Sequence, residues 1–141
     1  MKKTIFFLIV ILAMHSCFEP EPEDITKDYI TKNITTHNVK LVIFYKDYNN
    51  QNKDTIFTLS PYKEIKQRYI NRYVEYPFGI PADSCYIIFD ESRQITYKRD
   101  DGNLRNILDV NNYEGGLVKG KWYQYKYYIT NEDYSNAIVI K

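Results

Sequence analysis

WYQYKYYIT (122–130) decides the fold class. Tyr123, Tyr125, Tyr127 and Ile129 fall on one side, and Gln124, Lys126, Tyr128 and Thr130 on the other. A period of two over eight or more residues is the signature of a β-strand with one face packed and one face wet. The chain has 15 tyrosines, and aromatic residues suit such a pleated, half-buried surface. Directly after it, Thr130-x-x-Asp133 has the form of a helix N-cap, which predicts about one helical turn over TNEDYSNA before the closing IVIK.

The same alternation recurs towards the N-terminus. Val39, Leu41, Ile43 and Tyr45 share a face, KDYNNQNKD (46–54) reads as a hairpin loop rich in Asn and Asp, and DTIFTL (54–59) returns as its partner strand. Residues 62–76 carry both a strand pattern and a helical recurrence of tyrosines; the shortness and aromatic content of the segment favour a strand. YPFGIPAD (76–83) is punctuated by Pro77, Gly79 and Pro81 and is a loop. Cys85–Asp90 is apolar on both faces, as a central strand is, and Gln94–Arg99 alternates again. Asp100-Asp101-Gly102-Asn103 is a tight turn, RNILDV (105–110) a short apolar run, and NNYEGG (111–116) a loop. Seven or eight short strands with turn signals between them predict an all-β fold. The expected architecture is an antiparallel β-sandwich, Ig-like or similar, formed by residues 28–141.

The first residues are of another kind. MKKTIFFLIVILAMHSC (1–17) places Lys2 and Lys3 before an apolar run too short to span a bilayer, which is the layout of an export signal over residues 1–16. Its end at Ser16-Cys17 resembles the lipobox of bacterial lipoproteins, with Met14 and His15 where a Leu and a small residue are more usual. That resemblance implies that Cys17 becomes the first mature residue and carries a diacylglyceryl group with palmitate-type chains. More than one acyl chain is what stable membrane anchoring takes. FEPEPED then alternates Glu19, Glu21, Glu23 and Asp24 with Pro20 and Pro22, which predicts an extended, solvated tether over 17–27. Acidic residues after the lipidated cysteine resemble the surface-export signal of Bacteroidota-type lipoproteins. The body, with Asp83-Ser84 and Ile87–Asp90, Asp109–Gly116 and Tyr128–Ala137, is similar to small lipoproteins of the same group. The resemblance implies outer-membrane anchoring with display at the cell surface, a periplasm-facing orientation being the alternative. It transfers no catalytic residue.

Composition narrows the function. Without residues 1–16 the chain keeps 17 basic and 18 acidic residues, so it offers no basic field for nucleic acid. With Cys17 carrying lipid, Cys85 is alone, and the mature chain has His37 as its single histidine. This leaves neither a disulfide nor the common zinc sets. Gly115-Gly116-Leu117-Val118-Lys119-Gly120-Lys121 fits the spacing of a phosphate loop, but Trp122 follows where Ser or Thr is needed and a strand follows where a helix is needed, so no nucleotide is expected. Asp109, Asn111 and Glu114, with Asp100 and Asp101 in a neighbouring turn, are candidate calcium ligands by chemistry, although the helix-loop-helix calcium pattern fails at Tyr113 and Glu114. Aromatics in loops or off the core faces, namely Tyr48, Tyr76, Phe78, Tyr113 and Trp122, are the candidates for a binding platform. The expectation is a non-enzymatic, cofactor-free binding module for a glycan or protein ligand. A structural or accessory subunit of an envelope complex is the first alternative, and a small hydrolase the second.

Overall fold

The computed structural model describes residues 24–70 and 75–140. The signal, Cys17 and most of the tether, together with residues 71–74 of the 62–76 segment, lie outside the described residues.

Among the described residues, nine strands and one short helix follow one another. They are β1 (Thr26–Asn33), β2 (Val39–Lys46), β3 (Asn52–Leu59), β4 (Glu64–Ile70), β5 (Ser84–Phe89), β6 (Arg93–Lys98), β7 (Glu114–Lys119), β8 (Trp122–Ile129), α1 (Asn131–Asn136) and β9 (Ile138–Val139). They form two sheets, β4-β1-β8-β7 and β3-β2-β5-β6-β9. β5 is central in the second sheet, as its two apolar faces predict. The protein is an all-β sandwich.

One pairing departs from the antiparallel expectation: β1 runs parallel to β8, with Tyr29 opposite Tyr125 and Thr31 opposite Tyr127. β1 also takes in Thr26 and Lys27, so the ordered body starts two residues before the end of the tether read from composition. Its signal is weak because the outward residues Asp28, Ile30 and Lys32 mix charge with an apolar side chain. The stretch 105–110 is no strand. It runs in turns into a 3-10 turn at Val110–Asn112, with Ile107 fully buried as a plug in the core. The loop expected at 111–116 ends early, because Glu114-Gly115-Gly116 already belongs to β7. Gly115 explains the glycines: at φ +128°, a Cβ there would lie 2.1 Å from the Gln124 carbonyl oxygen, so only glycine lets β7 approach β8 this closely.

The core joins the inner faces of both sheets. Leu41, Ile43, Cys85, Ile87 and Phe89 meet Tyr29, Tyr127 and Ile129. Of the tyrosines on the β8 inner face, Tyr127 is core as the period predicts and Tyr125 packs partly buried against it, while Tyr123 lies outside the core cluster. Tyr29 stacks on Tyr125 at 5.4 Å between ring centroids and meets Tyr113 edge-on at 6.0 Å. At one end Asn33, fully buried, donates from Nδ2 to the carbonyls of His37 (2.7 Å) and Ser60 (3.1 Å), while its Oδ1 accepts from the Thr35 backbone N–H (3.0 Å). One side chain thus satisfies the backbone of two turns. At the C-terminus the helix begins where Thr130 and Asp133 predict it, with both bonds of the capping box formed.

A candidate binding cleft between two loops

At the end of the sandwich where β4, β6 and the β2–β3 hairpin finish, two loops face each other. The first, residues 75–83, links β4 to β5. Phe78 turns into the core and stacks on Phe57 at 6.0 Å. Gly79, at φ +70°, lies against the Tyr69 ring so closely that a Cβ would fall 2.4 Å from Tyr69 Cε1. The Asp83 N–H donates to the Phe44 carbonyl at 2.7 Å and ties the loop to β2. Tyr76 is thereby left standing outward, 42% exposed.

The second loop, residues 99–109, is held by its own polar groups. Arg99 donates from Nε (2.8 Å) and Nη2 (2.6 Å) to the Ala82 carbonyl and joins the two loops. Its guanidinium lies 5.8 Å from the Tyr76 ring centroid, a cation–π contact that fixes the ring. Asp101 accepts from the N–H groups of Lys98 (3.0 Å) and Asn103 (2.9 Å) and from Asn106 Nδ2 (2.9 Å). Burial works against its charge, yet these three donors together hold its pKa below the usual carboxylate value. Asn106 is buried, donates to the Lys98 carbonyl at 2.7 Å and accepts from the Leu108 N–H at 2.9 Å.

Between the loops lies a cleft of about 360 Å³. Ile80, Leu108 and Val110 give it an apolar floor, and Tyr76, Arg99 and Asn103 an aromatic and polar rim. Small-molecule sites combine such apolar lining with a few placed polar groups, at volumes of roughly 300–1,000 Å³. Glu75, Asp100 and Asp109 border the cleft as well, and all three are exposed to water.

The aromatic candidates do not gather into one platform. Tyr76 and Phe78 line the cleft, Phe78 from inside the core at 6% exposure. Tyr48 stands alone at the β2–β3 hairpin tip, fully exposed. Tyr113 is a core residue whose hydroxyl donates to the Ile107 carbonyl at 2.9 Å. Trp122 lies on the outer face of the first sheet and donates from Nε1 to Asp28 Oδ2 at 2.9 Å. For Phe78 and Tyr113 the cause is that loop position and exposure differ where a loop folds back over the core; Trp122 opens β8 and faces Asp28.

The calcium candidates are likewise dispersed. Asp109 caps the 3-10 turn by accepting from the Asn111 N–H at 2.9 Å. Glu114 is in β7 and Asp101 is occupied by its amide donors. Among the described residues no group of three His, Cys, Asp or Glu side chains could hold a metal ion. Cys85 is fully buried, and burial pushes its thiol well above the ordinary pKa. His37 partners other groups: its Nδ1 is 2.6 Å from Asp90 Oδ2 and its ring stacks on Tyr134 at 3.7 Å. Gly115–Lys121 is the β7–β8 hairpin. Arg99, which joins the cleft walls, was not singled out by motif, because its partners Tyr76 and Ala82 lie in a separate loop. Compared with protein-family models, curated proteins and solved structures, the chain matches none.

Proposed function

We propose that the chain is a lipid-anchored, non-enzymatic binding module of the bacterial outer membrane. In this reading Cys17 carries the lipid, the acidic tether lifts the sandwich off the bilayer and displays it at the cell surface, and the 75–83/99–110 cleft receives a glycan or peptide ligand. The observation that carries the binding assignment is the Tyr76 ring, outward-facing and braced by Arg99 over an apolar floor. A rigid aromatic gives large contact at little entropic cost. The water-exposed setting of Glu75, Asp100 and Asp109 favours binding over hydrolysis, since a carboxyl that serves as general acid near neutral pH needs burial to hold its proton.

A second reading, the accessory subunit, draws support from β3 and β4. Both are terminal strands of their sheets, eight and seven residues long, paired without a bulge on their inner sides. Such edges are templates for strand addition.

The test is an array of glycans and extended peptides probed with the wild-type chain and with Tyr76→Ala. Ligands retained by the wild type and lost by the variant support the cleft. Equal retention by both assigns recognition to another surface, the β3 or β4 edge first.

A further inference from the structure

The outer face of the first sheet carries a feature that neither the cleft nor the core uses. Strand register places its residues in rows. Lys66 of β4, Ile30 of β1 and Lys126 of β8 lie side by side, and the next row holds Glu64, Lys32 and Tyr128. The row on the other side holds Arg68, Asp28 and Gln124. Three lysines therefore surround Ile30, which is only 6% exposed although it faces outward. Together with Glu64, Gln124 and Tyr128 they line a cavity of about 260 Å³.

One of the three, Lys66, already has a carboxylate partner in Asp28. Asp28, fully buried, accepts from Arg68 Nε at 2.7 Å, from Trp122 Nε1 at 2.9 Å and from Lys66 Nζ at 2.8 Å. Lys32 and Lys126 are half-buried and make no ion pair or side-chain hydrogen bond among the described residues. Glu64 and Glu114 stand across the strands from them, both exposed and neither in an ion pair with them. Lysine stems pack on apolar surface while their heads seek a partner. Gln124 and Tyr128 add an N–H and an O–H donor to the same cavity.

We infer that this cavity is an oxyanion site, taking one sulfate, phosphate or carboxylate group between Lys32, Lys66 and Lys126. Its volume lies just under the usual small-molecule range, which suits a single charged group and the part of the molecule that bears it. The ammonium groups supply charge, Gln124 and Tyr128 supply direction, and Ile30 closes the floor. The site is independent of the cleft.

The experiment follows the amide resonances of Ile30, Lys32 and Lys126 in the full chain, held in neutral detergent at low ionic strength, as sodium sulfate, sodium phosphate or sodium glucuronate is added. At least one anion shifts them saturably, and the best of the three identifies the group the site is built for. The Lys32→Gln/Lys126→Gln double variant weakens that binding about tenfold or more, because hydrogen bonds to charged groups are the strong ones; Lys63→Gln, on an exposed turn, leaves it unchanged. Raising the salt to ~0.3 M weakens it as well, by screening. Should the double variant not fold, Lys126→Gln alone weakens binding about threefold by the same argument. No saturable shift with any of the three anions, or a double variant that titrates like the wild type, overturns the inference.

Discussion

Arg105 grips Asp133 with two parallel bonds, Nε to Oδ1 at 2.8 Å and Nη2 to Oδ2 at 2.7 Å. The same Arg105 Nη2 donates to the Tyr128 carbonyl at 2.9 Å, and the Arg105 carbonyl accepts from the Tyr127 hydroxyl at 2.6 Å. Asp133 also accepts from the Thr130 N–H at 2.7 Å. The segment that crosses from β6 to β7 is thereby fastened to β8 and to α1, and it is this segment that supplies one wall of the cleft.

Asp133→Ala removes the buried carboxylate and with it one half of the capping box, the bond from the Thr130 N–H, while Thr130 still caps the helix. That bond is worth about 1 kcal/mol and the charge-assisted bonds to Arg105 about 1.5 kcal/mol, less what the one-third-exposed Arg105 regains from water. A loss of about 2 kcal/mol in urea unfolding is the expected outcome. Asp133→Asn, which keeps the shape, loses less.

Acid unfolding reads the Asp28 cluster. The bond from Arg68, opposed by burial and joined by the bonds from Lys66 and Trp122, holds the Asp28 carboxyl well below the usual carboxylate range. A depressed folded pKa stabilises the protein above the unfolded value, about 3.9, and that contribution is lost as the pH falls further towards the folded value. Stability measured from pH 5 to pH 2 therefore falls less steeply in Asp28→Asn than in the wild type. Asp90, lowered chiefly by His37, and Asp101 add slope of the same sign in both proteins. Trp122→Phe keeps the aromatic area and removes one donor, at a cost of about 1 kcal/mol.

Gly115→Ala tests the close approach of β7 to β8. A Cβ 2.1 Å from the Gln124 oxygen must push the strands apart, on top of a backbone conformation that costs about 1–3 kcal/mol for a side chain. Gly102→Ala, at φ +68° with open space around it, costs only the conformational term of about 1 kcal/mol. Thermal unfolding ranks Gly115→Ala well below Gly102→Ala.

If Cys17 carries the lipid as proposed, Cys17→Ala abolishes incorporation of labelled palmitate and leaves an unprocessed or soluble chain. A variant that is still processed and still needs detergent contradicts the lipid anchor. If the domain is displayed at the surface as proposed, protease on intact cells removes it while a periplasmic control survives; protection of both places the domain on the periplasmic side.

The strands with one packed and one wet face were legible because their alternation reports burial directly: β8 and β6 stand where the sequence puts them to within a residue, and the β2–β3 hairpin does so except that β3 starts at Asn52, inside the stretch read as loop. The helix start was legible because a capping box is a local interaction. β1 was hidden by its outward face, where Asp28 is buried by residues 40 and 94 positions away. β7 was hidden by its two glycines, of which Gly115 serves the close approach to β8. For the cleft, Tyr76 was singled out as an aromatic in a loop, but Arg99, Asn103 and Asn106 enter it through contacts that no spacing encodes. Phe78, Tyr113 and Trp122 show the converse: aromatic residues in or beside loops that turn out to fill the core or to serve a buried carboxylate.

Recognition at the cleft separates from the fold by calorimetric titration of the strongest array ligand into the wild type, Tyr76→Ala and Trp122→Phe. Tyr76→Ala should weaken binding about tenfold or more, as loss of an aromatic anchor does, with its melting temperature close to that of the wild type. Trp122→Phe should bind normally and melt lower. Unchanged binding by Tyr76→Ala together with loss by Trp122→Phe would contradict the cleft assignment and move the site to the outer face of the first sheet.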